Sequence, residues 1–586
     1  MKSFFKTLVA SILGFCIGAL ALTVFLFLIF FGILSGVEGT HVYKPQPNEI
    51  LKIELSGILS DRTVDDPLAW LFGKTSQQQT LTDVLDAIRK AKENDHIKGI
   101  YLKNGRFFSA GTSSLSAIRR ELKDFKASGK FIIAYGDDYS QACYYVSSMA
   151  DKVLLNPQGM INLHGMASTR TFYKGLLEKL GVKMEIFKVG TFKSAVEPYM
   201  LDKMSDANKE QLASYMGNIW KNISSDIAED RLMSVEQLNL LVDSGLIFSP
   251  ARRLVKTGLA DSLMYLPQVE EYLKRLSGAG EDIHLSQVND LRALPFKNAK
   301  IYNDKIAVLF AEGEITTTLT GIAASEKTIT DKEYVKELQR LKKDKQVKAV
   351  VLRINSPGGS GYVSEQIWHE IIALREEKPV VVSMGDVAAS GGYYIACAAN
   401  WIVAEPTTIT GSIGVFGMFA TLEGLYGKAG LSSDAVKTHT FADFGDLSRD
   451  MRTDEKQLVQ HYVEHFYDVF LTRCAAGRNL PKETVDSIGQ GRVWTGEQAL
   501  AIGLVNELGG LDRAIEVAAM CVGLNKFSRV DYPEKKDFLS SVMDNKMDGV
   551  KMKIMQGFLD DEEYRHLMLV RHIKEMDIIQ ARLPFE

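Results

Sequence analysis

The sequence predicts an α/β protein: two tandem copies of one domain behind an N-terminal transmembrane helix. Three observations predict it. Matching residues recur in register 249 positions apart, short apolar strands alternate with helical patterns in each copy, and one long uncharged run stands near the start of the chain. The 586 residues carry 69 Lys+Arg against 73 Asp+Glu, a net charge of −4 that argues against nucleic-acid binding through a basic surface. With 46% hydrophobic residues and only 14 Pro, the composition excludes wholesale disorder and collagen-like or low-complexity architectures.

The uncharged run LVASILGFCIGALALTVFLFLIFFGIL, from Leu8 to Leu34, exceeds the ~20 residues a helix needs to cross a bilayer. A cleaved signal peptide would have a shorter apolar core and a small-x-small site, which Gly32 to Glu38 does not offer. A retained single-pass anchor is therefore expected over about 8–34, within an N-terminal segment 1–44. Lys2 and Lys6 precede the span and the next basic residue is Lys44, so the N-terminus is expected in the cytoplasm. Everything from about 45 onward then faces the other side, which for a bacterial inner membrane is the periplasm.

The duplication rests on a long register. Gly136-Asp137 and Tyr144-Tyr145 match Gly385-Asp386 and Tyr393-Tyr394, and the same offset pairs Ile118 with Ile367, Pro157 with Pro406, Gly165 with Gly414 and Thr191-Phe192 with Thr440-Phe441. In each copy an apolar strand (KGIYLKN; KAVVLRI) leads through a polar loop and a helical segment to a second strand (KFIIAYG; PVVVSMG) and a small-residue stretch. That order indicates βαβ units with a largely parallel sheet. The stretch EKQLVQHYVEHFYDVFLTR after Asp454 has helical periodicity, and its copy near Lys209 is similar. The expected domains are 45–297, 298–534 and a helical C-terminal tail, 535–586, packed on the body or on a neighbour.

Differences between the copies locate the chemistry, because residues needed for folding recur whereas a group needed once does not. Ser390 in AASGG stands opposite Gln141, so only the second copy offers a hydroxyl; Lys193 in VGTFKSAVEP stands opposite Ala442, so only the first offers an amine. Alone, AASGG reads as close helix-to-sheet packing and a lysine as a solvated charge. Together they are complementary, since a lysine whose burial lowers its pKa can take the proton of a hydroxyl nucleophile. Ser390 falls at a predicted strand-to-helix turn, where the Gly391 N–H can point at a developing oxyanion. The loop Asn355-Ser356-Pro357-Gly358-Gly359-Ser360 offers further backbone N–H groups, whereas the first copy reads Asn104-Gly105-Arg106-Phe107-Phe108 near there. One working oxyanion hole is expected, in the second copy.

On SPGGS from Ser356, GDVAASGGYYIA from Gly385, TTITGSIGVFG from Thr407, GTFKSAVEPYM from Gly190 and GRVWTGEQALAIGLVNELGG from Gly491, the chain resembles the signal peptide peptidase A (protease IV) family in its long form. The resemblance covers nearly the whole chain. It implies tandem duplicated domains similar to the crotonase and caseinolytic-protease superfamily, with Ser390 as nucleophile and Lys193 as general base. It also implies that Ser412 holds the lysine amine (the first copy has Leu163 there), a homotetramer, and degradation of signal peptides left in the membrane. The expected mechanism is attack by Ser390 after proton transfer to neutral Lys193, with the Gly359 and Gly391 N–H groups on the oxyanion. The nearest departure to the nucleophile, Asp386-Val387, bears on specificity.

Other readings are weaker. His461-Tyr462-Val463-Glu464-His465 fits H-x-x-E-H, but no third ligand is evident, so neither a metal nor any cofactor is expected. TGSIGVFG lacks the lysine and spacing of a phosphate loop. An acyl-CoA-handling crotonase-like enzyme fits an extracytoplasmic body poorly, and an inactive envelope scaffold is the non-enzyme alternative. The five cysteines form no C-x-x-C pair; Cys16 lies in the apolar run, and Cys143, Cys397, Cys474 and Cys521 are read as buried small residues.

Overall fold

The computed structural model describes residues 43–62, 79–280, 282–297, 300–317, 327–534 and 579–582, with four isolated helical positions near the N-terminus, at 14, 18, 22 and 25. The strands of the first half are β1 (Glu49–Ile58), β2 (Ile97–Ser109), β3 (Phe131–Tyr139), β4 (Lys152–Ile161), β5 (Lys183–Val189), β6 (Ser262–Leu263) and β7 (Leu285–Gln287). The second half adds β8 (Lys305–Glu312), β9 (Glu314–Thr316), β10 (Thr328–Thr330), β11 (Val347–Ser356), β12 (Gly358–Ser360), β13 (Val380–Ala389), β14 (Trp401–Ala404), β15 (Ile409–Gly411), β16 (Val415–Thr421), β17 (Val493–Thr495), β18 (Glu507–Leu508) and β19 (Ser528–Tyr532). Near the C-terminus lies β20 (Ile579–Arg582).

Each half is built on a sheet of the same order. The first runs β6-β4-β3-β2-β1-β7, all parallel, and the second runs β18-β14-β13-β11-β8-β19, with β15 extending the β14 side along β13. Parallel strands covered on both faces read as continuous apolar runs, and Val350, Val351, Leu352, Val380, Val381 and Val382 are all buried. Local signals repeat as well. Thr80 caps the helix Leu81–Glu93 through the Asp83 N–H, and Thr330 caps Asp331–Lys343 through the Glu333 N–H.

The halves are tied by buried polar contacts. Arg353 on β11 makes a two-pronged pair with Asp61, at 2.9 and 3.1 Å, with both side chains nearly inaccessible. Asp386, the residue expected to bear on specificity, accepts from the Ser114 N–H and Oγ–H, at 2.8 and 2.6 Å, and so caps the helix Thr112–Ala127 of the other half.

A third sheet, β10-β9-β12-β20-β16-β5, joins the halves directly. In it β5 of the first half pairs antiparallel with β16 of the second, from Val189 opposite Val415 to Lys183 opposite Thr421. Neither these two strands nor their partnership is expected from the sequence. The second-half counterpart of β5, residues 432–438, forms no strand and lies exposed.

Two expectations change. The tail, expected to be helical over 535–586, is a strand at Ile579–Arg582, where backbone edges on both sides supply ladder partners; residues 535–578 lie outside the described residues. Cys521 is exposed at the end of the helix Leu511–Cys521, whereas Cys143, Cys397 and Cys474 are buried. The membrane span expected over 8–34 falls on residues outside those described, save the four isolated positions. Among the described residues no helix is long and apolar enough to cross a membrane.

Candidate active site

Lys193 reaches the second half because β5 does. Past the end of β5 the chain turns at Gly190, whose φ of 104° suits glycine and where a Cβ would stand 2.5 Å from the Gln490 backbone. Phe192 then donates its N–H to the Gln490 carbonyl at 2.8 Å. Gly491, at φ 77°, lies against Lys193 itself. Arg492 sits with its guanidinium 4.6 Å from the centres of both the Phe192 and Trp494 rings, pinning the same turn.

Ser390 caps the short helix Gly391–Ala396 at the end of β13, with φ 55° and ψ −115°. A residue other than glycine held there is strained, and its surroundings must hold it. They do so through the Ser390 N–H, which donates to the Gly411 carbonyl at 2.8 Å, and the Ser390 carbonyl, which accepts from Tyr394 at 2.8 Å. Small neighbours are required, because a Cβ on Gly392 would stand 2.9 Å from the Ser356 carbonyl oxygen. Ser412 follows β15 at φ 50° and is fixed by donation of its N–H to the Arg492 carbonyl at 2.7 Å.

The three side chains meet. Lys193 Nζ lies 2.8 Å from Ser390 Oγ, 3.1 Å from Ser412 Oγ and 3.4 Å from the Ser412 carbonyl oxygen, and all three residues are 0% exposed. Desolvation is the sole cause acting on the amine, and it pulls the Lys193 pKa well below the usual lysine value. A neutral amine has two N–H groups for the Ser412 oxygens and one lone pair for the Ser390 hydroxyl. The chemistry available is proton acceptance from that hydroxyl.

Gly359 lies in β12 at φ 146°, so close to β9 that a Cβ would stand 2.0 Å from the Ile315 carbonyl oxygen. β12 packs against the helix Gly391–Ala396, which starts at Gly391. In the first copy the position of Ser390 is filled by Gln141, whose side-chain oxygen accepts from the N–H groups of His164 and Gly165 at 3.2 and 3.0 Å. Ala442, opposite Lys193, lies in the exposed segment. His461 and His465 are exposed on the helix Thr453–Arg478, and among the described residues no cluster of His, Cys, Asp or Glu is suited to hold a metal ion.

Sequence reasoning missed the support of the lysine turn. Gln211, fully buried on the helix Asp206–Asp230, donates through Nε2 to the Phe192 carbonyl and to Ser194 Oγ, each at 2.9 Å, and accepts from the Val493 N–H at 3.3 Å. It thus grips both residues flanking Lys193 and one strand of the other half. Behind it Asn208 donates to buried Glu197 at 2.9 Å. Asn208 and Gln211 in the first turns of a buried helix stripe that continues with Leu212, Tyr215, Ile219 and Ile223 were the available signal.

The family comparison places this geometry. Peptidase family S49 matches residues 124–280 and 372–525, once in each half, and the Clp protease family matches residues 300–405. The chain belongs to peptidase family S49. Among S49-type relatives, "Protease 4" of Salmonella typhi is 36% identical over 556 residues, covering 91% of this chain and 88% of the relative. "Protease 4" of Haemophilus influenzae is 36% identical over 80% of this chain and 79% of its own, and the chloroplastic "Serine protease SPPA" of Arabidopsis thaliana 31% over 80% and 68%. The S49 chain is a serine peptidase, a hydrolase with two S49/Clp-like α/β domains; the acyl-CoA and scaffold readings give way to it.

Proposed function

We propose that the chain is a membrane-anchored serine endopeptidase that works through a Ser390–Lys193 dyad and degrades cleaved signal peptides and other hydrophobic peptides at the bacterial inner membrane. The observation that carries the dyad is the 2.8 Å approach of Lys193 Nζ to Ser390 Oγ, both buried, with no carboxylate among the described residues acting to hold the amine charged. The Ser390 proton passes to Nζ as Oγ bonds to the substrate carbonyl carbon, and the carbonyl electron pair moves onto oxygen. The N–H groups of Gly359 and Gly391 stabilise that oxyanion. Collapse breaks the C–N bond, the leaving amine takes the proton from Lys193, and water then hydrolyses the acyl-enzyme by the same proton route. Ser412 orients the amine through its hydroxyl and carbonyl.

The substrate class follows from the small residues around Ser390, which suit an extended peptide with small or apolar side chains, as in the hydrophobic stretch of a signal peptide. The uncharged run 8–34 supplies the single-pass anchor, with the N-terminus cytoplasmic and the catalytic body periplasmic. A homotetramer is supported by an asymmetry between the halves. Residues 432–438 are the second-half counterpart of β5 and are exposed, with Val436 accessible, while residues 166–172 of the first half match β16 without pairing as a strand. Pairing one copy's 432–438 with the next copy's 166–172 would repeat the β5–β16 contact head to tail and close a ring.

The deciding experiment uses a serine-directed fluorophosphonate and an apolar peptide with the detergent-solubilised full chain. Wild-type protein is expected to be labelled at Ser390 and to cleave the peptide. Lys193→Ala and Ser390→Ala should fold and lose about 10³-fold or more in turnover. Retained turnover in either variant refutes the dyad.

A further inference from the structure

The strand β13 bulges just before Ser390. Beside β11 the register steps from Ile354 opposite Met384 to Ser356 opposite Ala388, so Gly385, Asp386 and Val387 stand against Asn355 alone. A bulge bends its strand and re-aims a side chain. Its backbone is held within the second half: the Gly385 carbonyl accepts from Thr408 Oγ1 at 2.7 Å, and the Val387 N–H donates to Asn355 Oδ1 at 3.1 Å. The side chain between them crosses to the first half, where Asp386 accepts from the Ser114 N–H and Oγ–H at 2.8 and 2.6 Å.

The receiving helix, Thr112–Ala127, leaves room for this guest. Its N-cap is Gly111, which has no side chain to cap with, and a Cβ there would stand 2.0 Å from Asp386 Cγ. A carboxylate at a helix N-terminus is favoured by the helix dipole. The first copy has the same Gly-Asp pair at Gly136-Asp137, yet its carboxylate stays in its own half: exposed Asp137 accepts from the Tyr135 hydroxyl at 2.9 Å and from Asn156 Nδ2 at 2.8 Å. From Asp386 the path to Ser390 is short and paired throughout. Val387, Ala388 and Ala389 lie against Ile409, Thr410 and Gly411 of β15, and Thr410 Oγ1 donates to the Ala388 carbonyl at 2.7 Å. Ser390 follows at its strained φ of 55°, a conformation that persists only where the surroundings over-determine it.

We propose that Asp386 is a positioning residue for Ser390: by capping the helix Thr112–Ala127, it lets the first half fix the end of β13 and hence the direction of Ser390 Oγ. The proposal rests on the Ser390–Lys193 reading. Constraint then runs both ways across the molecule, since Lys193 of the first half is packed against Gly491 of the second. The position acts on turnover rather than on the choice of peptide.

The test compares the full chain with Asp386→Ala, Asp386→Asn, Ser114→Ala and the Asp386→Ala/Ser114→Ala double variant, by fluorophosphonate labelling of Ser390 and steady-state kinetics on an apolar peptide. Asp386→Ala is expected to lower kcat and the labelling rate about tenfold with KM changed by less than about twofold, because the contact sets geometry rather than binding. Asp386→Asn keeps an oxygen for the Ser114 N–H and should return to within about threefold of wild type. Ser114→Ala should lower kcat less than Asp386→Ala and add nothing to it in the double variant, since the two side chains act through one contact. Asp137→Asn, the same change in the first copy, should leave turnover as in wild type. A purely structural role would lower the unfolding midpoint and leave kcat and labelling of the folded protein unchanged. Wild-type labelling and kcat in Asp386→Ala, additive losses in the double variant, or an equal loss in Asp137→Asn overturns the proposal and leaves the dyad standing. If Asp386→Ala does not fold, Ser114→Ala decides, and wild-type kcat in it overturns the proposal. Absence of Ser390 labelling in the wild-type chain overturns the dyad and this proposal together.

Discussion

Gly491 lies so close to Lys193 that a Cβ added to it would stand 2.6 Å from both the amide nitrogen and the Cβ of the lysine. One residue from the second half thereby sets where the first half's amine can go. Gly491→Ala must displace the turn and also strain a φ of 77°. The expected result is a loss of stability of about 1–3 kcal/mol, and a fall in kcat larger than any change in KM. Denaturant unfolding and steady-state kinetics on an apolar peptide measure the two effects.

The buried amine also sets a pH dependence. Desolvation lowers the Lys193 pKa well below 10.5, and the reactive form is neutral, so kcat/KM should fall on the acid side as pH drops through that lowered value. Between the lowered value and the usual one the unfolded chain binds a proton that the folded chain does not, so this group's effect on stability improves as pH rises through that window. Below it, folding is penalised by the burial. Lys193→Met should therefore be inactive yet more stable near neutral pH, by about 1–2 kcal/mol. Thermal unfolding at several pH values checks this: a variant no more stable than wild type would contradict a neutral, desolvated lysine.

Gln211 holds the residues on either side of Lys193, and its effect on turnover is expected to pass through them. Gln211→Leu, close in size but without the amide, is expected to lower kcat about tenfold or more with little change in KM, and to move the acid limb of the pH profile. A purely structural role would lower stability and leave that limb in place. Gln211→Glu, which keeps one acceptor for the Val493 N–H, should recover less of kcat than of stability.

The Asp61–Arg353 pair also joins the halves. Asp61→Ala leaves a buried guanidinium without its carboxylate, which costs about 3–5 kcal/mol. Arg353 retains bonds to Ser383 Oγ and the Met384 carbonyl at 3.1 and 2.9 Å, so it cannot turn out to solvent without losing them. Denaturation midpoints for Asp61→Ala and wild type measure the difference.

What could be read in advance divides along physical lines. Val350, Val351 and Leu352, or Val380 to Val382, announce strands because a sheet covered on both faces demands continuous apolar residues. Ser390 and Lys193 stood out because duplication supplied its own control: Gln141 and Ala442 occupy their places in the other copy. The crossing of β5 to β16 left no such mark, since nothing in KMEIFKV names a partner and pairing is decided by which backbone edge is open. Gln211 and Gly491 escaped notice for a related reason. Their task depends on neighbours 17 and 19 residues away in one case and on the opposite half in the other. The strand at Ile579–Arg582 is imposed by the edges on either side of it, which no local propensity in the tail encodes.

The delivery of Lys193 by β5 has a further consequence during synthesis. The amine-bearing half leaves the ribosome first and carries Gln141 where a hydroxyl would be needed; the half with the hydroxyl follows and has Ala442 where an amine would be needed. On the proposed Ser390–Lys193 chemistry, neither portion is expected to cleave a peptide by itself. A nascent chain is therefore harmless to itself and to its surroundings until the strands of both portions have zipped together, and folding to completion does for this protein what removal of an inhibitory propeptide does for a zymogen.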